Sequence, residues 1–156
     1  MPFPVTLRDR LRADTIAAMR SGDALRRDTL RMVENAIYNA EKRDQRTYAD
    51  DEVAVILGRE VKTRRESVEA FEKGHRPDLV AKEQAEIAIL TEYLPEPLSD
   101  GELDALVAQA ILETGASSPR DMGKVMGWLS PRTRGRADGR VLSGRVTAAL
   151  AGASET

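Results

Sequence analysis

Hydrophobic residues recur along most of the chain at the three- and four-residue spacing of an amphipathic helix. In one such stretch the following residues fall on a single helical face: Leu25, Thr29, Met32, Val33, Ala36, Ile37 and Ala40. No segment alternates convincingly between apolar and polar residues with the period of two that a half-buried strand requires. The sequence therefore predicts an all-α protein.

Capping residues, glycines and prolines divide this pattern into seven predicted helices. Their starts are expected near Thr6, Asp23, Asp50 or Asp51, Asp78, Ser99, Ser118 and Asp138. Pro95-Glu96-Pro97 separates the fourth helix from the fifth, because proline disfavours helical geometry in the residue before it. We expect an N-terminal four-helix domain at 1–94, a hinge at Pro-Glu-Pro, a C-terminal three-helix domain at 95–150 and a flexible tail at 151–156.

Composition excludes several kinds of site. The chain has no cysteine and one histidine, His75, so disulfides, thiolate catalysis and multi-histidine metal sites are excluded. No cofactor-binding motif or catalytic constellation is present. The start, MPFPVT, lacks the features of a signal peptide, and the longest charge-free run, Val146–Ser154, is far shorter than the about 20 residues of a membrane helix. These features predict a cytoplasmic protein without a cofactor, a metal or a membrane contact.

Charge is uneven within the second half of the chain. Residues 95–118 contain acids and no base, whereas Lys and Arg outnumber the acids in residues 119–147. The net charge of −2 conceals this basic segment. A charge run is often only a solvated face, so the segment alone does not identify a site.

The predicted sixth helix strengthens the case for a site. Its apolar residues lie on one face, whereas Gly123, Gly127, Arg120 and Lys124 lie on the other. A glycine in an exposed helix interior costs about 1 kcal/mol relative to alanine. Two kinds of contact could offset this cost. Either another helix packs closely against the glycines, or the backbone of a ligand, such as a phosphate-ribose chain, approaches them beside the cations.

Neighbouring residues extend this candidate surface. Trp128 lies at the edge of the polar face, and a flexible, cationic loop is expected to follow from Arg132 to Gly139. The candidate RNA-binding residues are therefore Arg120, Gly123, Lys124, Gly127, Trp128, Arg132, Arg134, Gly135 and Arg136.

Charged residues also interrupt the apolar faces of the third and fourth helices. Glu60 and Arg64 lie on one, and Glu83 and Glu86 on the other. Ion pairing between two helices explains this pattern most simply. A carboxylate site for a metal or for acid-base chemistry is the alternative.

Two stretches of the second half closely resemble the YqeY family: YLPEPLSDGEL (Tyr93–Leu103) and GASSPRDMGKVMGWLSPRTRGRADG (Gly115–Gly139). Upstream, LRMVENAIYNAE and KTRRESVEAFEKGHRPDLVAKEQAEIAIL resemble its front half. The second half is also similar to the tail domain of GatB, the subunit of glutamine-dependent tRNA amidotransferase whose tail contacts tRNA. The resemblance implies that tRNA contact would involve Asp121, Met122, Gly123, Lys124, Gly127 and Gly135 to Gly139.

This resemblance implies a tRNA-binding accessory module, with tRNA and possibly an aminoacyl-tRNA or amidotransferase protein as partners. No catalytic residue is expected, because the catalytic domain of the amidotransferase is absent. The resemblance alone would class the protein with carbon-nitrogen ligases that use glutamine as the amide donor. Two alternatives remain: a helical adapter between proteins, and a subunit that assists amide transfer in trans. The chain departs from the family pattern in two respects. The loop has arginines where lysines are usual, and Trp128 replaces a small or aliphatic residue.

Overall fold

The computed structural model describes residues 5–154 and contains seven α-helices within them. Their bounds are α1 Leu7–Ser21, α2 Ala24–Asp44, α3 Asp50–Lys73, α4 Pro77–Thr91, α5 Asp100–Thr114, α6 Met122–Thr133 and α7 Gly139–Ser154. A single 3-10 turn, Pro119–Asp121, precedes α6. No strand occurs in the described part of the chain, which confirms the all-α prediction. The chain forms two compact units, Met1–Leu94 and Pro95–Thr156.

Local capping determines where several helices begin and end. Thr6 and Asp9 form the predicted capping box: the Asp9 N–H donates to Thr6 Oγ1 at 3.1 Å, and the Thr6 N–H donates to Asp9 Oδ2 at 3.4 Å. Ser99 accepts from the Glu102 N–H in the same way at the start of α5. Gly22 and Gly115 end α1 and α5 with positive φ angles of 78° and 68°, a conformation in which glycine has no steric penalty.

The first unit has one apolar core shared by its four helices. Its fully buried side chains include Leu11, Leu30, Val33, Ile37, Val53, Leu57 and Leu90. Tyr93, just after α4, packs against this core, and its hydroxyl donates to Asp14 Oδ2 at 2.5 Å. Burial is the largest cause, and this hydrogen bond the second, of a pKa of Tyr93 that is raised to about 12. The side chain therefore links the end of α4 to α1 as a neutral donor.

The second unit has a separate core between α5, α6 and α7. Its buried residues are Leu103, Val107, Ala110, Val125, Leu129, Leu142, Val146 and Leu150. Arg145 of α7 donates to Asp104 Oδ1 at 2.6 Å and to Asp100 Oδ1 at 2.5 Å on α5. Arg145 of the basic segment thus forms ion pairs with two carboxylates of the acidic segment within this unit.

Two boundaries differ from those predicted. Helix α7 continues through Ser154, so the expected flexible tail is helical at residues 151–154, where alanines favour helix. Helix α6 includes Arg132 and Thr133, which were expected in a loop. The Thr133 hydroxyl donates to the Leu129 carbonyl at 3.0 Å and is buried, so the last turn continues beyond Pro131. Residues 1–4 and 155–156 of the predicted segments lie outside the described residues.

Candidate functional site

Helix α6 is oriented by the apolar residues on its inner face. Val125 and Leu129 are fully buried in the core of the second unit. Because helical side chains three and four residues apart share a face, this orientation places Gly123, Lys124 and Gly127 in solvent. The predicted division of the helix into an inner and an outer face is confirmed.

Gly123 and Gly127 face open space. A Cβ atom added at either glycine would have no neighbouring heavy atom within 4 Å. Side-chain packing within the three-helix unit therefore gives no reason for glycine at these positions. The geometry does leave room for a ligand to approach the backbone of α6 closely.

Two exposed cations lie beside these glycines. Arg120 is exposed in the turn that precedes α6. The Lys124 side chain is 70% exposed, and its Nζ lies 3.9 Å from Asp121 Oδ1, a distance at which an exposed pair is weak. Asp121 Oδ2 accepts from the Ser117 N–H at 2.8 Å and from the Ser118 N–H at 3.3 Å. The Ser117 bond is the main cause of the lowered pKa of Asp121, so this carboxylate chiefly stabilises the turn.

Trp128 does not offer an open stacking surface on both faces. The Arg132 guanidinium lies 3.8 Å from the centroid of its ring system, and Arg132 Nη1 donates to the Trp128 carbonyl at 2.6 Å. The indole also packs against the core of the second unit. The spacing of four residues could have indicated this contact between neighbouring turns.

Arg136 forms contacts within the second unit, although 40% of its side chain remains exposed. Its Nε donates to the Glu96 carbonyl at 3.0 Å, and its own carbonyl accepts from the Leu98 N–H at 2.9 Å. Gly135 precedes it with a φ of 78°, which favours glycine, whereas Arg134 is exposed. This structural role of Arg136 could not be predicted from its local sequence, because Glu96 lies 40 residues earlier in the chain.

The charged cluster of the first unit is an ion-pair network centred on two buried residues, Arg64 and Glu86. Arg64 Nη1 lies 2.9 Å from Glu60 Oε2, and Arg64 Nε lies 3.3 Å from Glu86 Oε2. Burial and the charge of Glu86 raise the pKa of Glu83. Within residues 5–154, no three histidine, cysteine or acidic side chains are grouped so that they could hold a metal ion. The arrangement corresponds to the simpler of the two predicted interpretations.

Comparison with known proteins gives a family match over nearly the whole chain. A family model described as Yqey-like protein matches residues 8–150. A protein of Pyrenophora tritici-repentis, named altered inheritance of mitochondria protein 41, mitochondrial, is 35% identical over 130 residues, which cover 82% of this chain and 71% of that protein. Proteins of the same name are 31% identical in Lachancea thermotolerans, covering 87% of this chain and 76% of the relative, and 32% identical in Kluyveromyces lactis, covering 90% and 74%.

These relatives correct the prediction of cellular location. All three are named as mitochondrial proteins, and the expectation of a cytoplasmic protein is therefore wrong. The composition of a helical domain without cysteine suits either compartment, so it could not distinguish them. Within the described helices, none combines the length and the apolar character needed to cross a membrane.

Proposed function

The chain belongs to the YqeY family, and from this premise we propose that its second unit binds the sugar-phosphate backbone of a folded tRNA through the outer face of α6. The observation that carries the proposal is the open space at Gly123 and Gly127 beside Arg120 and Lys124. Glycine lets a ligand approach the helix backbone closely. Arginine and lysine are the usual partners of phosphate oxygens.

A backbone carbonyl of α6 that lacks its usual helical donor also favours RNA. Pro131 lies inside α6, and proline has no N–H to donate to the carbonyl four residues earlier. The carbonyl of Gly127 therefore lacks the i+4 donor that helix carbonyls ordinarily have. A ribose 2′-hydroxyl can donate to such an acceptor, whereas deoxyribose has no group that can.

The aromatic residue of this surface does not favour recognition of unpaired bases. Single-stranded nucleic acids are usually bound by exposed aromatic rings on which bases stack. Here Arg132 already covers the indole of Trp128. The surface is better suited to recognising a folded RNA by its shape and its phosphates.

A salt titration with purified tRNA tests the proposal. Binding of the full chain should weaken steeply with rising salt, because bound phosphates release their counterions. Lys124→Ala should weaken binding and lower the slope of log Kd against log salt by about one. Lys73→Ala, which removes an exposed cation at the end of α3, is the matched control and should leave the slope unchanged. Equal slopes for the wild type, Lys124→Ala and Lys73→Ala would contradict the proposed interface.

A further inference from the structure

The first unit has a second surface that the proposed RNA interface does not use. It is a cleft of about 340 Å³ between α1 and α2. The residues that line it are Arg8, Arg12, Thr15, Ile16, Glu34, Asn35 and Tyr38. Two large apolar side chains remain exposed there, Ile16 at 43% and Tyr38 at 55%. We call this surface the α1/α2 groove.

Contacts between the two helices establish the register of the groove. Arg8 Nη1 lies 2.6 Å from Glu41 Oε1 near the start of α1. In the middle, the Thr15 hydroxyl lies 2.9 Å from Glu34 Oε2. Towards the end of α1, Arg31 Nη2 lies 3.1 Å from the sulfur of Met19.

Met19, 50% exposed, extends the apolar surface beyond Ile16. Met19 and Ile16 are three residues apart on α1 and therefore lie on neighbouring turns of one face. An apolar strip thus runs along the antiparallel helix pair from Tyr38 past Ile16 to Met19. Exposed apolar side chains that adjoin one another provide the contact area that the apolar face of a partner needs, unlike single scattered ones.

The charges along the strip favour an acidic partner. Among the described residues, no carboxylate lies within ion-pair distance of Arg12 or Arg31, and both are exposed. Glu34, which lines the groove, already contacts Thr15, and Glu41, which lies outside the lining, contacts Arg8. An exposed arginine therefore lies towards each end of the apolar strip, and the carboxylate of Glu34 lies between them; Arg31 is close enough to Asp28 to help lower the pKa of that carboxyl, but the two form no direct ion pair.

We propose that the α1/α2 groove binds an amphipathic helix of a partner protein that carries an acidic residue at each end of a short apolar face. Grooves between helices bind amphipathic helices through apolar residues spaced at i, i+3, i+4 and i+7. The apolar face of the partner packs on Ile16, Met19 and Tyr38, and its acids pair with Arg12 and Arg31. Glu34 at the centre excludes an acid from the middle of that face.

The register defines the spacing of the acids in the partner helix. Arg31 lies beside Met19, which is seven residues after Arg12 on α1. Seven residues of helix span about 10 Å. Two carboxylates seven residues apart in the partner helix therefore match the two arginines, with apolar residues at the third and fourth positions between them.

A designed peptide tests this inference with the full chain. The probe is a fluorescein-labelled helical peptide with Glu at positions i and i+7 and Leu at i+3 and i+4. It should bind, and a peptide with Lys in place of both Glu residues should bind about tenfold more weakly or worse. Equal affinity for the two peptides would overturn the proposal, because apolar contact alone would then explain the binding.

Variants of the chain locate the site. Arg12→Glu and Tyr38→Ala should each weaken binding of the Glu peptide about tenfold or more, because a few anchor residues contribute most of the binding energy of an interface. Arg65→Glu is the matched control: it reverses the charge of an exposed arginine on α3, outside the groove, and should leave the affinity unchanged. The Lys peptide should bind Arg12→Glu more tightly than the wild type, which a merely destabilised protein would not do.

Two other occupants would overturn the proposal. If the unliganded chain forms a dimer that Ile16→Glu dissociates in sedimentation, the groove binds a second copy. If Arg12→Glu weakens tRNA binding whereas the Glu peptide does not bind the wild type, the groove binds nucleic acid. Neither result depends on the α6 surface, so the groove and the proposed RNA interface are tested separately.

Discussion

Arg64 and Glu86 form an ion pair between α3 and α4, with Arg64 Nε 3.3 Å from Glu86 Oε2 and side chains that are only 5% and 10% exposed. Taking two charges out of water is costly, and their attraction repays this cost only when both partners are present. The stability of the contact between α3 and α4 therefore depends on the presence of both residues.

The first prediction concerns removal of one partner. Arg64→Met should lower the free energy of unfolding by about 3–5 kcal/mol, because it leaves the buried carboxylate of Glu86 without a counter-charge. The double variant Arg64→Met/Glu86→Leu should recover most of this loss in urea denaturation. Glu60→Gln, which removes the more exposed partner of Arg64, should cost less than about 1 kcal/mol. A single Arg64→Met variant as stable as the double variant would contradict this view of the pair.

The second prediction concerns pH and Glu83. Burial and the charge of Glu86 raise the pKa of Glu83 above its usual 4.5, so the folded state favours the protonated form. Stability from this group is present below pH 4.5 and is lost as pH rises through the higher pKa of the folded state. The melting temperature of Glu83→Gln should therefore increase relative to the wild type between pH 4 and pH 7. A difference that does not change with pH would show that ionisation of Glu83 does not affect stability.

Much of the helical architecture could be predicted from local sequence. Thr6 and Asp9 form a capping box, and Gly115 ends a helix, through contacts within a few residues of the chain. The alternation of Val125 and Leu129 with Gly123 and Gly127 likewise determines which face of α6 is buried. Such features depend on helical geometry alone, and a single sequence is enough to recognise them.

Contacts between distant segments could not be predicted in this way. Arg136 resembles the other arginines of its segment, yet its side chain bonds to the Glu96 carbonyl. The α1/α2 groove likewise depends on the register in which Met19 meets Arg31. Both contacts depend on how segments that are distant in sequence pack against each other. The periodicity of a single helix does not indicate that packing.

The third prediction concerns the segment that Arg136 holds. The sequence predicts that Pro95-Glu96-Pro97 is a hinge, and limited digestion with a broad-specificity protease should cut the chain within 95–99. Arg136→Ala removes the bond to the Glu96 carbonyl and should increase the rate of cleavage there. Arg140→Ala, an exposed arginine at the start of α7, is the control and should be cut at the wild-type rate. Equal rates for all three proteins would mean that Arg136 does not restrain this segment.

The fourth prediction concerns Pro131 and the choice of nucleic acid. Pro131→Ala supplies an N–H for the Gly127 carbonyl, so the carbonyl has one acceptor site fewer for a ribose hydroxyl. The variant should melt at a higher temperature than the wild type, because alanine favours helix. It should also show a smaller preference for an RNA hairpin over a DNA hairpin of the same sequence. An unchanged preference in a stabilised variant would exclude the carbonyl from recognition.

Binding of tRNA by Gly127→Leu tests the proposed RNA interface most directly. A leucine side chain fills the open space at α6 without a change of charge, so we expect an unchanged or higher melting temperature and tRNA binding weakened about tenfold or more. Gly144→Leu adds the same side chain at a glycine of α7 that also has open space, and its tRNA affinity should equal that of the wild type. A stable Gly127→Leu protein that binds tRNA as tightly as the wild type would contradict the proposed interface.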